Sequence, residues 1–312
     1  MKGRSIQDII SESMKDAAYR EEYERQLLKA TEDHVKSIAT SELPVPPDQP
    51  QFAGSVPQNY DRYLVPILFK PFAASLATRA AKLRPKNVLE LACGTGAVTR
   101  ALAKVLHHET HIIATDFSPA MVEYSQANSL ASSNIQWQVA DACALPYDDE
   151  SFDLIVCQFG VMFFPDKVAA MSEAYRVLAP GGRLLFNTWG EVSRNPVFRT
   201  VEETLASMYP KEESPFMPTA LSMPYPDEIC ELVRSAGFSS AEAVEERHRV
   251  GPHNPNDLAS GFAFGTPLGL YLSGQGYDIN EIQNSLIFAF AGAMGDPMTC
   301  DLLAIMCHAS KL

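Results

Sequence analysis

Residues 87–102, NVLELACGTGAVTRAL, limit this chain's fold more than any other stretch. Val88, Leu89 and Leu91 form the dense apolar run of a strand buried on both faces, and the run stops at Gly94-Thr95-Gly96. Val98, Leu102, Val105 and Leu106 then recur at helical spacing, so the order is strand, glycine turn, helix. Such a turn lets backbone N–H groups and a helix N-terminus approach a ligand, because glycine has no side chain to hold it away.

The dinucleotide form of this turn, G-x-G-x-x-G, fits poorly, because Thr99 stands three residues after Gly96. The strand also carries an acid, Glu90, toward the turn. A carboxylate there repels a pyrophosphate and attracts a cationic amino-acid ligand, which turns the reading toward S-adenosylmethionine. The block LELACGTG resembles motif I of the class I S-adenosylmethionine-dependent methyltransferases.

Downstream residues add to the pattern. Residues 111–115 predict a second strand ending in Asp116, about 25 positions beyond Glu90, with Ser118-Pro119 opening a helix. An acid at about this interval binds ribose hydroxyls in doubly wound folds, offering two acceptor oxygens to two vicinal hydroxyls. Residues 135–140 predict a third strand, followed by Asp141-Ala142, and residues 152–157 a fourth, followed by Gln158. Pro180-Gly181-Gly182 marks a turn into a fifth strand at 183–188. Residues 241–250 and the apolar CDLLAIMCHASK read as a sixth and a seventh strand.

Alternation of this kind implies an α/β, doubly wound, Rossmann-like sheet of seven strands with helices on both faces. In the resembled family the last strand is antiparallel and inserted beside the sixth. The F-D-x-I block at 152–155, the RVLAPGGRLLF segment and D-E-I-x-x-L-x-x-x-A-G-F at 227–238 extend the resemblance over about residues 60–310, closest in pattern to the methyltransferase type 11/25, ubiquinone-biosynthesis-like branch.

The resemblance implies S-adenosyl-L-methionine as cofactor and S-adenosyl-L-homocysteine as product. It implies cofactor contacts from Tyr63, Glu90, Ala92, Gly94, Gly96, Asp116, Phe117, Met121, Asp141, Ala142 and Gln158. Tyr63 belongs to a Y-D-R-Y segment that precedes the first strand in the family, and Tyr60 shares it. The domain expectation is a helical appendage and linker at 1–50, the cofactor-binding core at 51–190, and completion of the sheet at 191–312 with a substrate cap at about 251–298. Residues 60–83 read as helix, broken or kinked at Pro66 and Pro71, and the cap as two helical stretches.

Composition narrows the function. At 312 residues and 46% hydrophobic, the chain can bury a full α/β core and an added cap. A formal net charge of −13 argues against a phosphate-backbone footprint, so no nucleic-acid partner is expected. No uninterrupted apolar run of about 18 residues occurs, and the first residues lack a leader-like apolar segment, which predicts a cytoplasmic protein without a membrane span. The six cysteines show neither a C-x-x-C pair nor zinc spacing, so no metal is expected and the thiols read as buried packing.

Methyl transfer needs a general base only when the acceptor atom starts protonated. His248, His253 and Tyr271 are candidates by residue type alone, with no partner at recognisable spacing; Tyr277 stands nearby. Phe262, Phe264, Phe288 and Phe290 in the cap suit an apolar or aromatic small-molecule acceptor. A protein or peptide acceptor docked by the N-terminal helices is the alternative, as is cofactor binding without transfer. The same helices suit a homodimer contact.

Overall fold

The computed structural model describes residue 52 and residues 54–129, 134–210 and 216–312. The expectations for residues 1–50, the helical appendage and the dimer contact, lie outside the described residues. The chain from Asp48 to Leu312 clusters as one compact unit, so the residues beyond 190 complete the sheet begun by those before it.

Seven strands form a single sheet: β1 (Asn87–Leu91), β2 (His111–Asp116), β3 (Ile135–Val139), β4 (Phe152–Gln158), β5 (Leu178–Trp189), β6 (Ser240–His253) and β7 (Met298–Ser310). Their spatial order is β3-β2-β1-β4-β5-β7-β6. The pairs among β1 to β5 are parallel, and β7 runs antiparallel to both β5 and β6. From β1 the chain winds outward to β2 and β3, then returns to place β4 on the other side of β1. The carboxyl ends of β1 and β4 therefore flank the crevice where open α/β sheets bind ligands.

Strand alternation explains why the strand sequences are apolar throughout rather than at every second position. Val88, Leu154, Val156, Leu185 and Met306 project to one face and pack on Leu76, Ala77, Ala80, Val98 and Leu102. Leu89, Leu91, Ile155, Leu184 and Phe186 project to the other, against Ala170, Met171, Ala174 and Val177 of the Lys167–Val177 helix and Ile229 and Val233 of the Pro226–Ser235 helix.

Three local expectations change. The helix over Val56–Leu83 is continuous rather than broken at its prolines. Its middle, Tyr60–Phe69, is wound as a π-helix that contains Pro66, and Pro71 falls in the first turn of the α-helical Lys70–Leu83 part. A wider turn accommodates the first ring, and the second falls at the junction of the π-helical and α-helical windings. This helix is long and apolar enough to cross a membrane, but 56% of its most apolar window is buried against the sheet and the cap.

The fifth strand begins at Leu178, five residues earlier than expected. Leu178 pairs with Phe152 before the Ala179–Gly182 residues bulge out, and pairing resumes at Arg183 opposite Leu154. Gly181 in that bulge has φ +80°, the left-handed conformation that favours glycine. The cap has three helices instead of two, Pro255–Phe264, Pro267–Gly274 and Ile279–Met294. Phe262 and Phe290 are core residues there, whereas Phe288 is 78% exposed.

Candidate active site

The polar residues of the crevice come from consecutive strand ends, as the spacing predicts. Glu90 is buried in β1, and its Oε2 accepts from Thr99 Oγ1 of the following helix at 2.6 Å. Burial pushes its carboxyl up from the ordinary 4.5 to about 8, with Asp116 adding to the rise and the Thr99 bonds and Arg100 opposing it.

The turn after β1 is held open by backbone conformation. Ala92, Gly94 and Gly96 have φ of +51°, +55° and +82°. A Cβ placed on Gly94 meets nothing within 4 Å, so the loop leaves free space on that side. At Gly96 a Cβ would lie 3.2 Å from the Trp137 ring, which is tight.

Asp116 at the end of β2 ties this loop to the next one. Its Oδ2 accepts from Gly94 N at 2.8 Å and its Oδ1 from Ser118 N at 2.9 Å. Burial raises its pKa, while the Ser118, Gly94 and Phe117 backbone N–H groups hold it down. Each oxygen keeps acceptor capacity for a further donor. Phe117 is half-buried beside it, and Met121 is buried behind it in the Pro119–Asn128 helix capped by Ser118. Asp141 follows β3, accepts from Cys143 N at 2.8 Å and is also raised by burial; Ala142 next to it is buried.

Gln158 ends β4, in line with Asn187 on β5. Its Nε2 donates to Phe69 O at a long 3.4 Å, and its Oε1 is sealed from solvent with no partner. The next residue, Phe159, stacks on Trp189 of β5 with centroids 3.8 Å apart and planes 9° apart. Phe69 and Phe72 pack around this pair.

The Y-D-R-Y segment enters differently from expectation. Tyr63 lies under the Arg62 guanidinium, 5.0 Å from its ring centroid, with its Cβ turned to Gly261 of the cap. Tyr60 is the tyrosine near Asp116: burial raises its phenol, and the Asp116 and Asp61 charges raise it further. Its ring stacks on Phe69 at 4.9 Å. Asp61 pairs with Arg100 Nη2 at 2.7 Å, and Arg100 Nη1 also donates to Thr95 O, which clamps the π-helical segment onto the glycine turn. Phe52 adds a strap: its carbonyl accepts from Ser118 Oγ at 2.9 Å, and its ring meets Tyr60 and Phe163 edge-on.

The three candidate bases sit on β6 and in the cap. His248 is held on β6 by Glu246 at 2.8 Å, and Glu246 also takes Arg79, while the His248 ring packs against Phe72. His253 ends β6 opposite Met298. Tyr271 is half-buried in the Pro267–Gly274 helix against the apolar core. The cysteines at the rim are thiols rather than thiolates, since burial pushes Cys143 and Cys157 to about 12 and Cys93 well above its ordinary value. Among the described residues no group of three His, Cys, Asp or Glu side chains is placed to hold a metal.

Three acids along one rim, Glu90 buried and Asp116 and Asp141 half-buried, each with a raised pKa, define a site for a ligand that brings positive charge, hydroxyl donors and an amine donor. An adenosyl sulfonium amino acid has all three. The free space at Gly94 fits such a ligand. The sheet order and this rim define a cofactor-binding enzyme of the Rossmann-like methyltransferase type.

Comparison with known proteins agrees. The family model described as "Methyltransferase domain" matches residues 89–186. The demethylmenaquinone methyltransferase of Staphylococcus carnosus is 32% identical over 167 residues, covering 50% of this chain and 69% of the relative. That of Lactococcus lactis is 27% identical over 261 residues, covering 77% and 93%. The YcgJ protein of Bacillus subtilis shares the fold, with a TM-score of 0.50 at 17% identity over 78% of this chain and 99% of that one. The chain belongs to the class I S-adenosylmethionine-dependent methyltransferases, of the ubiquinone-biosynthesis type.

Proposed function

We propose that this methyltransferase acts on a small, planar, largely apolar acceptor of the quinol kind. The observation that carries the reading is the Phe159–Trp189 stack, which begins one residue after Gln158 at the carboxyl end of β4. An apolar aromatic wall directly beside an acid-lined rim suits a flat ring brought up to a cationic methyl donor. Two relatives named for demethylmenaquinone, a flat quinone, support the same chemistry.

In this reading the Gly94–Gly96 turn and Glu90 receive the amino-acid end of the cofactor, Asp116 the two ribose hydroxyls, and Asp141 with the Ala142 N–H the adenine edge. Ala92, Phe117 and Met121 wall the nucleoside, Tyr60 closes the Asp116 side, and Gln158 stands where cofactor and acceptor meet. Bound S-adenosylmethionine supplies an electrophilic methyl group on a sulfonium. The chain's own part is positional: the rim carboxylates favour the cationic ligand, and the aromatic wall excludes water and aligns the ring for in-line attack. The cap at 251–298 shields the acceptor side.

Titration calorimetry of the full chain with S-adenosylhomocysteine, followed by transfer of a labelled methyl group to reduced 1,4-naphthoquinone, tests the reading. Binding without transfer to this acceptor, while a non-aromatic acceptor is methylated, would overturn the quinol assignment.

A further inference from the structure

Two buried polar atoms at the β4/β5 rim have no partner. Asn187 is fully buried; its Oδ1 accepts from Phe159 N at 3.1 Å, but its Nδ2 donates to nothing. Gln158, its neighbour in register on β4, has an unpartnered Oε1. Among buried groups such orphans are rare, because each forfeits the hydrogen bond it made with water. Here a lone donor and a lone acceptor stand side by side on adjacent strands, at the end of β4 and two residues before the end of β5.

Strand alternation puts Asn187 and Trp189 on the same face of β5. The pair of orphans therefore lies next to the Phe159–Trp189 stack. It is covered by the end of the π-helical segment, where Phe69 O takes the long bond from Gln158 Nε2. One functional group satisfies both atoms at once: a hydroxyl, which accepts from Asn187 Nδ2 and donates to Gln158 Oε1. A ketone would leave the Gln158 acceptor unpaired, and a hydrocarbon would leave both.

We propose that Asn187 is the specificity-determining residue for the methyl acceptor, holding a ring hydroxyl in the plane set by Trp189 and Phe159. The assignment rests on the acceptor reading above and names the residue that recognises the acceptor's hydroxyl. A site built to hydrogen-bond a hydroxyl rejects the analogue that lacks it, because the site's own polar groups then stay unpaired. Neither Asn187 nor Gln158 touches the acids of the rim by hydrogen bond, so the preference is separable from cofactor affinity.

The test uses Asn187→Leu and Asn187→Asp in the full chain. Phe159 N also donates to the backbone O of residue 187 at 3.1 Å, so the leucine variant strands no backbone donor, and the aspartate variant keeps the side-chain acceptor. Equilibrium dialysis against the S-adenosylhomocysteine complex compares 1-naphthol with naphthalene. The wild type is expected to favour 1-naphthol by about tenfold or more, the worth of one well-placed hydrogen bond with its desolvation penalty. Both variants lack the Nδ2 donor and are expected to lower that preference about fivefold or more, leaving the part that donation to Gln158 Oε1 supplies, with S-adenosylhomocysteine affinity unchanged. A wild type without the preference overturns the proposal, as does a preference that is undiminished in Asn187→Leu. Loss of S-adenosylhomocysteine affinity in both variants also overturns it, since the orphans would then serve the cofactor. A wild type that fails to bind S-adenosylhomocysteine instead removes the underlying reading.

Discussion

Replacing Glu90 by glutamine removes an acid that the fold holds against its ionisation. The substitution keeps the acceptor that Thr99 Oγ1 uses at 2.6 Å. Burial places the Glu90 pKa at about 8 against an ordinary 4.5. At about 1.4 kcal/mol per tenfold change in proton affinity, ionising it inside the fold costs about 5 kcal/mol. The folded state holds the proton more tightly than the unfolded one. Stability from Glu90 is therefore full below pH 4.5, falls as pH rises through the interval, and levels off above about pH 8. Glutamine has no such dependence. The variant should match the wild type below pH 4.5 and exceed it by about 3 kcal/mol at pH 7, a large fraction of a typical domain's stability. Urea unfolding of both proteins without cofactor, at pH 5.5 and 8.5, should show the gap in favour of glutamine widening by about 3 kcal/mol. A gap that is equal at the two pH values would refute the reasoning, because a mere change in packing does not titrate. The same variant should bind S-adenosylmethionine more weakly, trading function for stability.

Three further outcomes follow from the same rim. If a cationic ligand enters beside a protonated Glu90, the carboxyl ionises, so S-adenosylmethionine binding at pH 7 should release a proton, read as a buffer-dependent calorimetric enthalpy that disappears in Glu90→Gln. Asp116→Asn loses one of the two oxygens that serve Gly94 N and Ser118 N. It should lower S-adenosylhomocysteine affinity about 10- to 100-fold by calorimetry; an unchanged affinity would remove Asp116 from the ribose site. Gly160→Ala would place a Cβ 2.4 Å from Ala92 Cβ and 2.8 Å from Cys157 Sγ. It should destabilise by about 1–3 kcal/mol and lower the melting temperature by several degrees in calorimetric scans.

The parts of the fold legible in the sequence are those set by short-range pattern. Asp116, Asp141 and Gln158 stand at or just past strand ends because a buried parallel strand must stop being apolar where it meets water, and that change is visible residue by residue; Glu90, buried one residue before the end of β1, stood out as a charge inside an apolar run. The seven-stranded α/β sheet followed from alternation, and the antiparallel last strand beside the sixth from the family pattern. Partnerships across long separations were not legible. Asp61 and Arg100 lie 39 positions apart, and either reads alone as a solvated charge. Asn195 anchors its loop through both Gly190 O and the Leu303 backbone, 108 residues on, with nothing local to distinguish it from any asparagine before a proline. Proline looked like a helix break at 66 because an α-helical turn was assumed; the π-helical register that tolerates it depends on what the helix packs against. The Asn187 amide carries no sequence signal, since being unpaired is a property of neighbours and not of spacing.

The position of β7 bears on how the protein is made. It follows every other strand in chain order, yet it lies between β5 and β6 and pairs with both over most of its length. During vectorial synthesis, β5 ends the growing sheet as an open edge, and β6 with the cap helices has no sheet to join until β7 emerges. Exposed edges of this kind invite pairing with other chains. The nascent protein thus spends the translation of residues 190–298 with an adhesive edge beside a nearly complete cofactor rim, and a ligand that binds that rim early would stabilise the half-built sheet.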